Sequence, residues 1–111
     1  MSMTSRRDLL PGTLDMLVLK TLADESLHGY GIALRIKQLS REVLQVEEGS
    51  LYPSLQRMRQ RGWLTAEWRE TPNRQRARYY KLTAAGKKQL GEQRAGFSEL
   101  IAAIERVMGT A

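Results

Sequence analysis

"EEGSLYPSLQRMRQRGWL", residues 47–64, keeps helical spacing on both sides of a proline. Leu51, Leu55, Met58 and Gly62 share one stripe, and Arg57, Arg59 and Arg61 follow in quick succession. A proline inside a helix loses a backbone donor and clashes with the preceding turn, at roughly 3 kcal/mol. If Ser50 caps the helix, Pro53 falls in the first turn, where amides have no intrahelical acceptor, and most of that penalty vanishes. If the helix starts near Glu48, Pro53 should kink it. Away from the apolar stripe lie Ser50, Pro53, Gln56, Arg57 and Gln60, and Gly62 supplies the stop.

Upstream, "TLDMLVLKTLADES" reads as a first helix entered at Pro11-Gly12, with Leu14, Leu17, Val18 and Leu22 inward. "LHGYG" interrupts with two glycines before a second helix that turns Ile32, Ala33, Ile36 and Leu39 inward. "SREVLQVEEGS" is a connector with one brief extended pair at Leu44 to Val46. Downstream the period changes to two. "WLTAEWRE" and "RARYYKL" alternate as strands do, and the polar "TPNRQ" between them makes a hairpin. Trp63 and Trp68 are expected in the core. A long last helix follows, capped by Thr83, with an apolar seam of Leu90, Phe97, Ile101, Ile104 and Met108. Such a seam must be buried. It either folds back on its own domain or, as the better reading, packs on a second copy, because the other three helices need one another for a small core.

Charge is concentrated. Residues 55–81 carry eight cations against two acids, so the formal excess of the whole chain, +6, resides in this segment. Clustered positive charge fits a polyanion, nucleic acid or anionic membrane. At 111 residues and 41% hydrophobic the chain has the size and composition of one globular unit. It has no cysteine, which excludes disulfides and thiolate chemistry, and no apolar run near the ~18 residues of a membrane span. A cytoplasmic location is expected, with no membrane partner.

Three helices, a hairpin and a further helix make a mainly α (α+β) fold, a winged helix-turn-helix with a long C-terminal dimerisation helix. Residues 1–82 would be the DNA-binding domain and residues 83–111 the dimerisation helix. In this arrangement the third helix enters the major groove and the wing reaches phosphates or an adjacent groove. Gln56 and Arg57 are expected at base edges, since glutamine pairs with adenine and arginine with guanine in two-point geometry. Ser50 and Tyr52 are expected to hold phosphates, and Pro53 leaves the helix start narrow and rigid beside amides that suit a phosphate. Asn73, Arg74 and Arg76 sit at the wing tip, which has little structural reason to be basic. Glu47 and Glu48 suit the positive end of the helix dipole or a cytosine amine.

"HGYGIALRI" (28–36), "GSLYPSLQRMRQRGWL" (49–64) and "RARYYKLTAAGKKQL" (76–90) resemble the hallmark segments of the PadR family of bacterial transcriptional regulators, in its short, single-terminal-helix form. The resemblance implies a homodimeric repressor on a pseudo-palindromic double-stranded operator, released by a small molecule. It also places Tyr30, with Ser50, Tyr52 and Pro53, near the DNA backbone and groove. Members often take phenolic acids or planar hydrophobic drugs, some between the long helices, where the candidate aromatic here is Phe97 rather than a tryptophan. An enzyme is not expected. His28 is the only histidine, and no nucleophile motif, phosphate loop, metal-ligand cluster or cofactor signature accompanies it. The alternative is a winged helix used for protein contacts or for unspecific nucleic-acid binding. The localisation of charge on the third helix and wing argues against a role in protein contacts alone.

Overall fold

The computed structural model describes residues 12–109, so the expected entry at Pro11 lies outside the described residues. The elements run α1 (Thr13–Thr21), β1 (Leu27–His28), α2 (Gly29–Leu39), α3 (Glu48–Gln60), β2 (Leu64–Glu70), β3 (Arg76–Leu82) and α4 (Ala84–Met108). That is the expected winged helix-turn-helix with a long last helix, enlarged by one short strand. β1 joins the outer side of β3, giving an antiparallel sheet of order β1-β3-β2. Its pairs are Leu27 with Tyr80 and His28 with Tyr79.

The first three helices bury Val18, Leu19, Ile32, Leu51, Leu55 and Met58 among themselves, and Leu64 and Tyr80 close the core from the sheet. The inward face of α1 is turned from the expected one. Asp15, Val18, Leu19 and Leu22 are buried, whereas Leu14 and Leu17 are half-buried. No strand forms at Leu44 to Val46. Both residues pack on the core from a loop in which Ser40 Oγ accepts the Leu44 amide at 3.0 Å. The turn before them holds Arg41 and Glu42 at φ of 54° and 66°, the left-handed region that L side chains disfavour.

α3 starts at Glu48, with Glu47 as its N-terminal cap residue, so Pro53 lies in the second turn and not the first. The helix continues through it as one element to Gln60. The Gly49 carbonyl, which an ordinary residue at position 53 would bond, is on the exposed face with Pro53, where water can serve it. The far end closes in a Schellman motif. Gly62 has φ 79°, its amide donates to Arg59 O at 3.0 Å, and the Trp63 amide donates to Met58 O at 3.0 Å.

β2 and β3 pair in register from Leu64 with Leu82 to Glu70 with Arg76. Leu64, Ala66, Tyr80 and Leu82 are on the core-facing side. Trp68 continues that side past the edge of the core and is 56% exposed, so it is not the core residue expected of it; Trp63 is half-buried against the core. Thr83 joins the sheet to α4 three ways. Its amide donates to Trp63 O at 3.1 Å, its Oγ1 donates to Gly62 O at 2.7 Å, and the same Oγ1 accepts the Gly86 amide at 3.0 Å. Leu90 then enters the domain's own core at 7% exposure, which removes it from the expected dimer seam: the first turns of α4 lie against the domain, and only later ones leave it. Beyond Leu90, α4 exposes Phe97, Leu100, Ile101, Ile104, Val107 and Met108. None of the described helices is long and apolar enough to cross a membrane.

Candidate nucleic-acid interface

The start of α2, the flank of α3 and the core-side face of the wing enclose an open groove of about 640 Å³. Tyr30, Tyr52, Asn73 and Arg76 of the expected DNA contacts line it, together with His28, Trp68 and Arg78, which were not expected. Several are held there by local chemistry. His28 is the N-terminal cap residue of α2, and its Nδ1 accepts the Gly31 amide at 2.9 Å. That bond satisfies one of the donors a helix start leaves open. The ring also meets Tyr79 edge-on at 5.1 Å.

Tyr52 comes from the other wall. Its hydroxyl lies so near Gly29 that a Cβ there would stand 2.6 Å from it, so the "HGYG" and "GSLYP" segments meet at this point. Burial pushes the phenol above its ordinary value, with Glu48 and then Tyr80 adding to the effect. Tyr52 therefore keeps its proton and offers a donor. Tyr30 is exposed beside it.

On the wing, Arg76 and Arg78 both lie over the Trp68 ring, at 5.5 Å from its centroid. An aromatic face holds a guanidinium in place while leaving its N–H edge available. Arg69, on the opposite face, is spent within the wing: its Nε donates to Glu67 Oε2 at 2.6 Å and its guanidinium covers Tyr79 at 4.8 Å. At the tip, the Thr71 amide donates to Gln75 O at 2.6 Å, and the Arg74 amide to Thr71 O at 2.9 Å. Arg74 is exposed there at φ 65° and does not line the groove. Asn73 accepts the Thr71 hydroxyl at 3.2 Å.

α3 presents Ser50, Pro53 and Gln56 to solvent, away from the buried Leu51, Ser54, Leu55 and Met58. Arg57, expected beside them at a base edge, is engaged by a partner within the chain. Its Nη2 donates to both oxygens of Asp15 in α1, at 2.6 and 2.8 Å, and Ser54 Oγ donates to the same carboxylate at 2.6 Å. The arginine sits at the boundary of the α3 face, and the buried acid draws it inward. The sequence carried a signal for this: Asp15 is an acid in the apolar run "LDMLVL", spaced with Val18, Leu19 and Leu22, and a carboxylate on a core face needs a cationic or donor partner.

A second groove, of about 260 Å³, lies between the start of α1 and the middle of α4. Met16, Phe97 and Leu100 make its apolar wall, and Gln93 also lines it. Among the described residues, Gln93 Oε1 is buried without a hydrogen-bond donor.

Residues 18–92 match the model of the transcriptional regulator PadR-like family. The transcriptional regulator Rv3488 of Mycobacterium tuberculosis is 39% identical over 83 residues, covering 75% of this chain and 74% of that protein. A PadR-like transcription factor from Bacteroides fragilis has the same fold at a TM-score of 0.70 and 32% identity, over 86% of this chain and 90% of its own. A PadR family transcriptional regulator from Eggerthella lenta superposes at 0.74 with 31% identity, over 90% of this chain and 85% of its own. The chain belongs to the PadR-like family of transcriptional regulators, a family of DNA-binding regulators rather than an enzyme class.

Proposed function

We propose that this PadR-like regulator binds a pseudo-palindromic operator as a homodimer in the cytoplasm, represses transcription there, and is released by a small phenolic or planar hydrophobic effector. The observation that carries the DNA reading is convergence: Tyr30, Tyr52, Asn73, Arg76 and Arg78 line one groove, and the exposed edge of α3 flanks it. Phosphates attract guanidinium and phenol donors and take no notice of base sequence. Gln56 and Ser50, beside Pro53 on that edge, are the side chains available for base edges and the adjoining phosphates. Arg74 at the wing tip adds attraction without a fixed geometry.

Residues 1–82 act as the DNA-binding unit and residues 83–111 join two copies. Phe97, Ile101, Ile104 and Met108 leave a large apolar face on α4, and burying each such side chain is worth ~1.5–3 kcal/mol. Contiguous apolar surface of this kind marks an interaction site. A two-fold axis through paired helices presents two recognition helices to half-sites about one DNA turn apart, ~34 Å, hence the palindrome. The effector reading draws support from the α1–α4 groove: its wall is apolar and the Gln93 oxygen lacks a donor that a phenol would supply.

Selection of duplexes from a randomised pool by the full chain tests this, followed by titration over a range of salt. A selected duplex bound ~10³-fold or more tighter than a scrambled one supports a specific regulator. Equal, salt-sensitive binding to both supports only a basic surface. Sedimentation at twice the 12.7 kDa chain mass supports the dimer. Weakened operator binding on addition of 4-hydroxycinnamate supports the phenolic class of effector.

A further inference from the structure

α3 is gripped from behind at a single carboxylate. Asp15 is 7% exposed, and it receives Ser54 Oγ and Arg57 Nη2, side chains three residues apart on the same helix. Three residues span ~4.5 Å of helix axis, so two donor side chains that far apart on one carboxylate fix both how far α3 slides along α1 and how far it rolls. The remainder of the α1–α3 contact is aliphatic packing, Val18 and Leu19 with Leu55 and Met58 in one core. Apolar packing supplies stability but tolerates small shifts, whereas directional bonds to a buried carboxylate define one position.

Position matters unequally for the two kinds of DNA contact. Base edges demand two-point geometry, and a contact held about 1 Å too loosely loses its discrimination. Phosphate contacts are chiefly electrostatic and tolerate such a shift. α1 also packs on α4 through the groove lined by Met16, Phe97 and Leu100, so the residue next to Asp15 faces the long helix. α1 is thus the element between α4 and the recognition helix, with Asp15 on its α3 side.

We infer that Asp15 is a positioning residue for operator recognition: without touching DNA, its carboxylate sets the register of α3 through Ser54 and Arg57, and so the preference for operator over other DNA. The inference rests on the DNA-binding reading of α3. Its signature is a loss of preference with little loss of general DNA affinity.

The experiment compares the wild-type chain with Asp15→Asn and Ser54→Ala on two duplexes, the one selected by the wild type and a scrambled duplex of equal length. Melting and sedimentation establish that each variant is folded and in the wild-type assembly. Asp15→Asn is expected to weaken operator binding at least tenfold, while the scrambled duplex binds as tightly as before or up to threefold tighter, because an acid has been removed. Ser54→Ala removes one of the two side chains that hold Asp15 and should lower the preference about threefold, which carries the test should Asp15→Asn fail to fold. A folded variant that keeps the wild-type preference overturns the inference and leaves the DNA reading standing. A parallel fall on both duplexes also overturns it, since that reports general damage. If the wild type selects no duplex, the DNA reading fails and the inference falls with it.

Discussion

Arg57→Ala separates a strut from a DNA contact. In the structure the guanidinium gives two hydrogen bonds to a buried carboxylate while its side chain remains 45% exposed. Hydrogen bonds to charged groups are worth ~1.5–3 kcal/mol when buried, and solvent screening of the exposed side reduces this to about 1–2 kcal/mol. Ser54 continues to serve one oxygen of Asp15, which limits the penalty of the orphaned acid. For a domain of this length, 1 kcal/mol moves Tm by about 4–8 °C, so a fall of roughly 4–16 °C is expected. Wild type and variant should be melted at equal chain concentration, because assembly raises Tm by mass action.

The second arm of the same prediction is the salt slope. Each cation that neutralises a phosphate contributes ~0.9 to the slope of log affinity against log salt. Arg57 is already neutralised by Asp15, so its removal should leave the slope of the wild type. Arg76→Ala, which takes a guanidinium from the groove, should lower the slope by about 0.9 for each chain bound, with Tm nearly unchanged. An Arg57→Ala protein with wild-type Tm and a slope lower by about 0.9 would refute the reasoning, because Arg57 would then be spent on phosphate.

Three other outcomes follow from named contacts. Gly86→Ala should destabilise the domain by 2 kcal/mol or more, about the scale of overpacking, since its Cβ would run into the Trp63 carbonyl; Thr83→Ser, which keeps both hydroxyl bonds, should melt within a few degrees of wild type. Ile104→Arg should halve the sedimenting mass and weaken operator binding more than binding to a short scrambled duplex, because it puts a charge in the proposed seam. The Tyr52 phenol has its pKa raised by burial, so the folded state holds that proton more tightly than the unfolded chain. Its contribution is complete at neutral pH and is lost as pH climbs above 10.0, the ordinary tyrosine value; Tyr52→Phe should therefore flatten the alkaline fall in stability seen in a urea titration.

The helices and the hairpin were legible because their residues repeat at 3.6 or 2 over many positions. β1 was not, since a strand of two residues has no period to read. The start of α3 was open because the capping preference of Ser50 and the acidic Glu47-Glu48 pair point to different first turns, and the longer helix forms. Arg57, Leu90 and Trp68 share another difficulty. Each lies at a boundary, and the side to which a boundary residue turns depends on a distant group: for Arg57 an acid 42 residues earlier in the chain. Leu90 repeats in step with Phe97 and Ile101, yet the domain claims it before α4 departs. Trp68 alternates correctly with Ala66 and Leu64 and still emerges, because the strand is longer than the core beneath it. Periodicity reports which face a residue is on, not how far the covering layer extends.

The same contacts explain what the hallmark segments are for. In "HGYG", His28 caps α2 and Gly29 admits the Tyr52 ring; in "GSLYP", Tyr52 is the ring admitted; in "YKLTAAG", Thr83 ties α4 to Gly62 and Gly86 lets the helix pass the Trp63 carbonyl. These are junctions between elements, and their requirements are steric and local. They hold whichever sequence of bases lies in the groove. On the DNA-binding reading proposed above, operator choice falls to side chains that no junction constrains, the exposed Ser50 and Gln56 of α3. Exchanging Gln56 for a residue of different hydrogen-bonding pattern, such as Gln56→Arg, should redirect selection toward guanine at one position in each half-site, at unchanged Tm. The same pool selection applied to that variant measures it. Enrichment of the wild-type operator unchanged would mean that Gln56 meets no base, and that α3 lies in the groove by another edge.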